Sequence, residues 1–537
     1  MTRTQRLTLA ATGLGLFMIF LDALIVNVAL PSIQKSFDVG ESGLQWVVTA
    51  YSLGMAVAIM SSATLADIYG RRRLYLAGIA VFTAASVACG LAPSIGVLNA
   101  ARAVQGVAAA TVNVTSLALV SAAFPDPKQK AWAIGIWTAI ASTALAIGPT
   151  LGGFLVQRSG WRIIFEVNLP VGLAVLVLTW MFVQESRDPR PRTLDMPGQL
   201  LFVAAVGAFA FAVIEGPRAG WLSPEILGLF ACATVALLAF IRVERRSPDP
   251  MMDLTLFRDR TYSVAIVTIF AMLFAVYGML LVITQLLQNV RGFSPTQAGL
   301  LLLPYSLANT LISLRVGRWM ATAGSRRLIL FGLSCQIAGF LVMIAGMSGP
   351  TEIVVAGLVL SSVGSALCLT PITSLAMSAV PPERAGMASG IMSAQRALGS
   401  TVGFAVLGSV LAASLTLTLS EHLARSIPDP VERREVADAI IGNANPRAYA
   451  AEIGPGRPIR HADAATESAI LAAADADFVE GIRISLSAAI VVLLLVLLAG
   501  WRWFPPGKGG LVDARREEGA IESEESARSG TEGVGAG

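Results

Sequence analysis

Long apolar stretches, each about as long as a lipid bilayer is thick, recur along this chain. The first, residues 8–30, reads TLAATGLGLFMIFLDALIVNVAL. A run of about 20 apolar residues spans a hydrocarbon core of about 30 Å only as a helix. Inside lipid a backbone must satisfy its own polar groups, and a helix does so within one segment. Fourteen such runs are expected, at about 8–30, 46–66, 74–92, 97–120, 131–155, 167–184, 197–215, 223–241, 261–286, 296–317, 328–347, 351–373, 387–415 and 482–504. Composition agrees: 55% of residues are hydrophobic and 14% charged, against about 25% charged in ordinary soluble domains. The first run is not expected to be a cleavable leader, because it exceeds the usual apolar length of about 7–15 residues and contains Asp22.

Basic residues set the orientation. With a cytoplasmic N-terminus, the short inner loops collect Arg71, Arg72, Arg73, Lys128, Lys130, Arg187, Arg190, Arg192, Arg242, Arg245, Arg246, Arg258, Arg260, Arg326 and Arg327. Short outer loops hold few, among them Lys35, Arg218 and Arg291. Both termini are therefore expected inside. The net charge of +4 follows from this bias and requires no nucleic-acid partner. Cys89, Cys232, Cys335 and Cys368 all lie in spans without metal or disulfide spacing, which suits small packing residues. His422 and His461 both fall in the one long outer loop, 420–480, so no histidine is available to carry a proton within the membrane. In that loop PDPVERREVADAII, 428–441, reads as a short amphipathic helix capped by Asp429, with Pro430 in its first turn and Glu432 completing a capping box. Residues 505–537 have the composition of a disordered cytoplasmic tail.

The two halves repeat. TAYSLGMA at 49–56 matches LPYSLANT at 303–310, and VTSLALVSAAFP at 114–125 matches ITSLAMSAVPP at 372–382. GIWTAIASTALAIGPTLGG from Gly135 matches GIMSAQRALGSTVGFAVLG from Gly390. The order is kept and the offset is nearly constant. The chain then divides into a six-span half, 1–185, two additional spans, 186–254, and a second six-span half, 255–504. Parallel six-span halves enclosing a substrate site near the midplane are a known transporter plan.

Four motifs sharpen this reading. ATLADIYGRRRL (63–74) resembles the loop signature of the major facilitator superfamily, and LNAARAVQGVAAA (98–110) resembles its fourth-helix motif. ALAIGPTLGG (144–153) resembles the Gly-Pro motif of its antiporter branches. LDALIVNVALP (21–31) resembles the first-helix motif of its fourteen-span drug:proton antiporters, and the chain resembles the tetracycline and spectinomycin efflux pumps of that branch. The chain departs from the pattern at Ala63, where the loop motif usually starts with glycine. It departs again in GRWMATAGSRR (317–327), where Ala321 stands in the place Asp67 takes in the first half. The resemblance implies an all-α integral membrane protein of the major facilitator fold. It further implies a proton-coupled multidrug efflux antiporter in the plasma (inner) membrane, working by alternating access.

Residue chemistry supplies the candidates. Asp22 lies about 20 Å up an outward-going first span, about 10 Å below the outer surface, and Arg102 lies about 10 Å down the inward-going fourth span. Buried membrane charges pair and face cavities, so Asp22 and Arg102 are expected to carry proton coupling; a static ion pair that fixes helix packing is the alternative. Burial favours the neutral acid and a nearby guanidinium favours the carboxylate, so a change in their distance would load or release a proton. The resemblance assigns Asp67, Gly70 and Arg71 to a cytoplasmic gate; arginines that only set topology are the alternative. Ala144, Gly148 and Gly152 share a helix face that permits close approach, expected between the halves, and Pro149 permits a bend; Gly153 completes the motif. Asn27, Gln105, Gln395 and Arg396 are possible cavity residues, although Arg396 would also be satisfied by snorkelling to the cytoplasmic interface.

There is no phosphate-cradling GxxxxGK[ST] motif, so direct drive by ATP is not expected, and neither is a cofactor or metal. One proton falling through 100 mV and one pH unit releases about 2.3 plus 1.4 kcal/mol. That supports an export gradient of a few hundredfold. The expected cargo is a small amphipathic drug, often cationic, and a monomer suffices for the plan. Export of a native lipid or metabolite, with drugs as incidental substrates, is the first alternative. An integral-membrane enzyme is remote, because the spans hold no serine–histidine arrangement or metal-spaced cluster.

Overall fold

A computed structural model of the protein describes residues 1–39, 41–187, 195–247, 250, 252–380, 385–423, 427, 433 and 464–505. The expected loop helix at 428–441 and the tail fall, but for single residues, outside the described residues. Among the described residues the chain is helical, without strands. We label the helices α1 (Arg3–Phe37), α2 (Glu41–Tyr69), α3 (Arg71–Gly90), α4 (Ile95–Ala123), α5 (Pro127–Ser159), a short α6 (Ile163–Glu166) and α7 (Asn168–Phe182). They continue with α8 (Met196–Ala219), α9 (Pro224–Glu244), α10 (Arg260–Gln285, extended by a π turn, Leu286–Val290), α11 (Pro295–Ala323), α12 (Ser325–Gly346), α13 (Thr351–Ser378), α14 (Ala385–Leu423) and α15 (Ala464–Trp503). Twelve spans are long and apolar enough to cross a membrane, and α2, bent by 53°, makes a thirteenth. The 33-residue α5 packs among them, which accommodates fourteen crossings. Several helices run past the apolar stretch that announced them: α1 extends over Arg3–Phe37 where 8–30 was expected, because polar flanks continue the same backbone ladder.

Helix ends follow local chemistry. Thr2 and Gln5 form a capping box on α1, and Ser294 and Gln297 form another on α11. The side chains of Asp126 and Ser223 accept from the first turns of α5 and α9, whose first residues are Pro127 and Pro224. Proline suits that position because its missing N–H is not needed there.

α1–α5 and α7 pack as one bundle, and α10–α15 as another. The bundles meet through α5 against α11 and α2 against α14. The additional pair α8–α9 packs beside this seam, with α8 touching both α2 and α14. Three hydrogen bonds between the bundles lie at the end opposite the Arg71–Arg73 loop. Thr150 Oγ1 donates to the Gly299 carbonyl at 3.3 Å, Gln288 Nε2 to Val28 at 3.1 Å, and Ser409 Oγ to Gln45 Oε1 at 3.4 Å. At the Arg71–Arg73 end, nothing lies within 4 Å of where side chains on Gly317 of α11 or Gly390 of α14 would begin.

Candidate functional site

Asp22 and Arg102 meet deep inside the first bundle. Arg102 Nη1 donates to Asp22 Oδ2 at 2.5 Å, and neither side chain has any exposure. Asp22 Oδ1 accepts from Gln105 Nε2 at 3.0 Å and from Asn168 Nδ2 at 2.8 Å. Arg102 also donates through Nε to the Val47 carbonyl at 3.0 Å and through Nη1 to Gln105 Oε1 at 2.8 Å. Its Nη2 has no hydrogen-bond partner among the described residues. The guanidinium lies 4.3 Å from the centre of the Tyr51 ring, and the Tyr51 hydroxyl donates to the Ile19 carbonyl at 3.0 Å. Ser86 Oγ accepts from Gln105 and Asn168 and donates to the Phe165 carbonyl at 2.9 Å.

Five helices thus converge on one carboxylate: α1 brings Asp22, α2 the Val47 carbonyl and Tyr51, α3 Ser86, α4 Arg102 and Gln105, and α7 Asn168. A buried ion pair offsets its desolvation better when its remaining donors and acceptors are satisfied; Asp22 has three donors, and Arg102 leaves Nη2 unmatched among the described residues. Gln105, expected to line a cavity, instead lies against the pair. Asn27 is buried on α1, its Nδ2 donating to the Ala23 and Leu24 carbonyls. Ser86 and Asn168 did not stand out in the sequence. Their only signal was that polar side chains at span positions need partners.

The loop motif forms a second polar cluster. Arg71 Nη2 lies 3.0 Å from Asp67 Oδ1, both partly exposed. Gly70 has φ 105°, which disfavours any side chain, and a Cβ there would lie 2.8 Å from Glu185 Cδ. Glu185 accepts from the backbone N–H groups of Arg72 and Arg73 at 2.9 and 3.2 Å, supplying an anion to the start of α3. Arg72 donates to the Trp180 carbonyl at 2.6 Å. Among the described residues these bonds stay within the first bundle and tie α2 to α3 and α7. Glu185 is the part sequence reasoning missed: an acid just beyond the sixth span carries no local signal that it caps a helix 113 residues earlier.

The Gly-Pro motif divides its work between two neighbours. Side chains on Gly148 and Gly152 would meet Leu24 and Ile25 of α1, beside Asp22. A Cβ on Gly153 would lie 2.3 Å from the Pro295 carbonyl oxygen of α11, and one on Gly299 2.3 Å from that of Pro149. The face of Gly148 and Gly152, expected between the halves, therefore packs within one half. The cross-bundle contact belongs to Gly153 and the Pro149 carbonyl, one residue round the helix in each case. In the second bundle Gln395 and Arg396 are half-buried on α14, and Arg396 Nη2 donates to Thr373 Oγ1 of α13 at 2.8 Å. Arg396 is thus held inside the bundle, not reaching for the interface.

Two helical bundles of membrane-spanning length that meet along a seam, the first of them enclosing a buried acid–base pair, define a secondary transporter. The chain belongs to the Major Facilitator Superfamily, whose family model matches residues 12–404. It is 60% identical over 505 residues to the multidrug resistance protein Stp of Mycobacterium tuberculosis, covering 94% of this chain and 93% of that one. It is 44% identical over 506 residues to the drug efflux pump JefA of the same organism, covering 94% and 99%. The fold matches that of a bacterial homologue of the human lysosomal transporter Spinster, solved inward-facing and unoccupied. That match has a TM-score of 0.64 at 17% identity, over 94% of this chain and all of the other.

Proposed function

We propose that this protein is a proton-coupled multidrug efflux antiporter of the plasma membrane, with both termini cytoplasmic. The observation that carries the reading is the sealed Asp22–Arg102 pair at the convergence of five helices, in a chain of this superfamily whose relatives bear drug-efflux names. Protonating Asp22 removes the anion that holds Arg102, Gln105 and Asn168. Each of those side chains then needs a new partner, and α1, α4 and α7 repack with them. Proton binding is converted into helix movement in this way, and alternating access requires such a conversion.

In this conformation the bundles touch at the end bearing Gly153 and Gln45, which is the outer end in the proposed topology. The reading assigns this state to the inward-facing half of the cycle. Asp67, Gly70 and Arg71 brace the cytoplasmic end of the first bundle, where the other half of the cycle needs a gate to close. The cargo is a small amphipathic drug, taken from the cytoplasmic side and exchanged for protons; neither ATP nor a cofactor takes part. Purified protein in proteoliposomes should accumulate or release drug in proportion to an imposed pH gradient. A drug-sensitivity panel in a pump-deficient host should show which drugs are exported. No pH-driven flux of any drug that the host survives would refute the reading.

A further inference from the structure

The helices of the second bundle nearest the seam offer a cargo a cation and no anion. α10, α11 and α14, with α13, form the part of this bundle nearest the seam, and none carries an acidic residue between its end turns: Glu352 and Glu421 sit at helix ends. Arg396 lies in the interior of α14, about 16 Å along the axis from Ala385. It forms no ion pair among the described residues, its only described hydrogen bond is to Thr373, and its buried Nε has no partner. Leaving a desolvated guanidinium N–H unmatched is costly. Tyr277 of α10 lies within electrostatic reach of Arg396, of Tyr305 on α11 and of Tyr51 on α2. Its ring packs edge-on to Phe404 at 5.6 Å. Tyr277 therefore stands at the seam, packed against the apolar cluster that joins Ile25 of α1 and Val47 of α2 to Phe404 of α14.

We propose that Arg396, with Tyr277 and Thr373, is a cargo-binding site for an aromatic compound bearing an anionic oxygen, such as a carboxylate, phenolate or ionised enol. The guanidinium matches two oxygens through its planar fork, and its Nε and Nη groups have donors to give. Tyr277 supplies an aromatic face and a hydroxyl. Cargo held there reaches the seam cluster that includes Ile25, three residues after Asp22 on α1, so its arrival and the state of the proton pair act on the same seam. The inference rests on the efflux reading and narrows the expected cargo, from often cationic to acidic at one end.

The test is binding of a charge-switched pair on one aromatic frame, fluorescein and rhodamine 123, to the purified full-length protein, read by fluorescence polarisation. The wild type should bind the anion more tightly than the cation. Arg396→Gln should weaken fluorescein about tenfold or more and leave rhodamine unchanged or tighter, while Arg396→Lys keeps part of the preference. Retained rhodamine binding or an unchanged gel-filtration profile shows the variant to be folded. A wild type without preference for the anion, or an Arg396→Gln protein that keeps it, overturns the proposal. Proton-driven export is measured separately in proteoliposomes, so loss of pH-driven flux with the anion preference intact would count against the efflux reading alone.

Discussion

Replacing Asp22 with asparagine separates a coupling site from a structural pair. Asparagine preserves size but does not ionise near neutral pH, and it turns one oxygen into an N–H donor. In the structure both oxygens of Asp22 face donors: Arg102 Nη1 at Oδ2, and Gln105 and Asn168 at Oδ1. Whichever way the amide turns, one N–H meets another donor, and Arg102 loses its countercharge at zero exposure. Breaking a buried pair from one side costs about 3–5 kcal/mol. That fraction of a marginal stability lowers the amount of folded protein. The double variant Asp22→Asn with Arg102→Gln removes both charges and should recover much of it. Coupling responds differently. One proton contributes about 3.7 kcal/mol under a 100 mV potential and one pH unit, a few hundredfold of accumulation. Both variants should lose all of that, while downhill exchange of drug survives. The assay is drug accumulation in proteoliposomes against an imposed pH gradient, at equal density of folded protein. Normal uphill accumulation by a folded Asp22→Asn protein would refute the reasoning and leave the pair a packing device.

Three further outcomes follow from the geometry. Asp67→Ala removes the carboxylate held by Arg71 and should slow transport in matched proteoliposomes while equilibrium drug binding persists; an unchanged rate would remove it from the gate. Gly153→Leu places a branched side chain where a Cβ already meets the Pro295 carbonyl. It should wedge the bundles apart at that end and expose a cysteine introduced at Thr150 to external maleimide; unaltered labelling and flux would contradict the contact. For topology, a cysteine at Ser529 should be protected from impermeant reagent in intact cells, and labelling from outside would reverse the proposed orientation.

Membrane crossing and the family were legible in the chain because each is written locally. A span is a continuous apolar run, and the motifs at 63–74, 98–110 and 144–153 are short and contiguous. Asp22 and Arg102 stood out by the same logic, since each is a charge where lipid-facing chemistry excludes one. Depth along straight helices even put them at one level. What shared depth leaves open is rotation about each helix axis, and there only the packed structure decides. It turned Gln105 onto Asp22 and brought in Asn168 and Ser86, whose neutral side chains carry no local mark of function. It set Gly148 and Gly152 against α1 and left the cross-bundle contact to Gly153. It capped α3 with Glu185 from a distant helix end. An apolar run fixes that a helix spans, because transfer into lipid sums over its residues. Which face meets which neighbour depends on side chains far apart in sequence, and those meet only when the bundle closes.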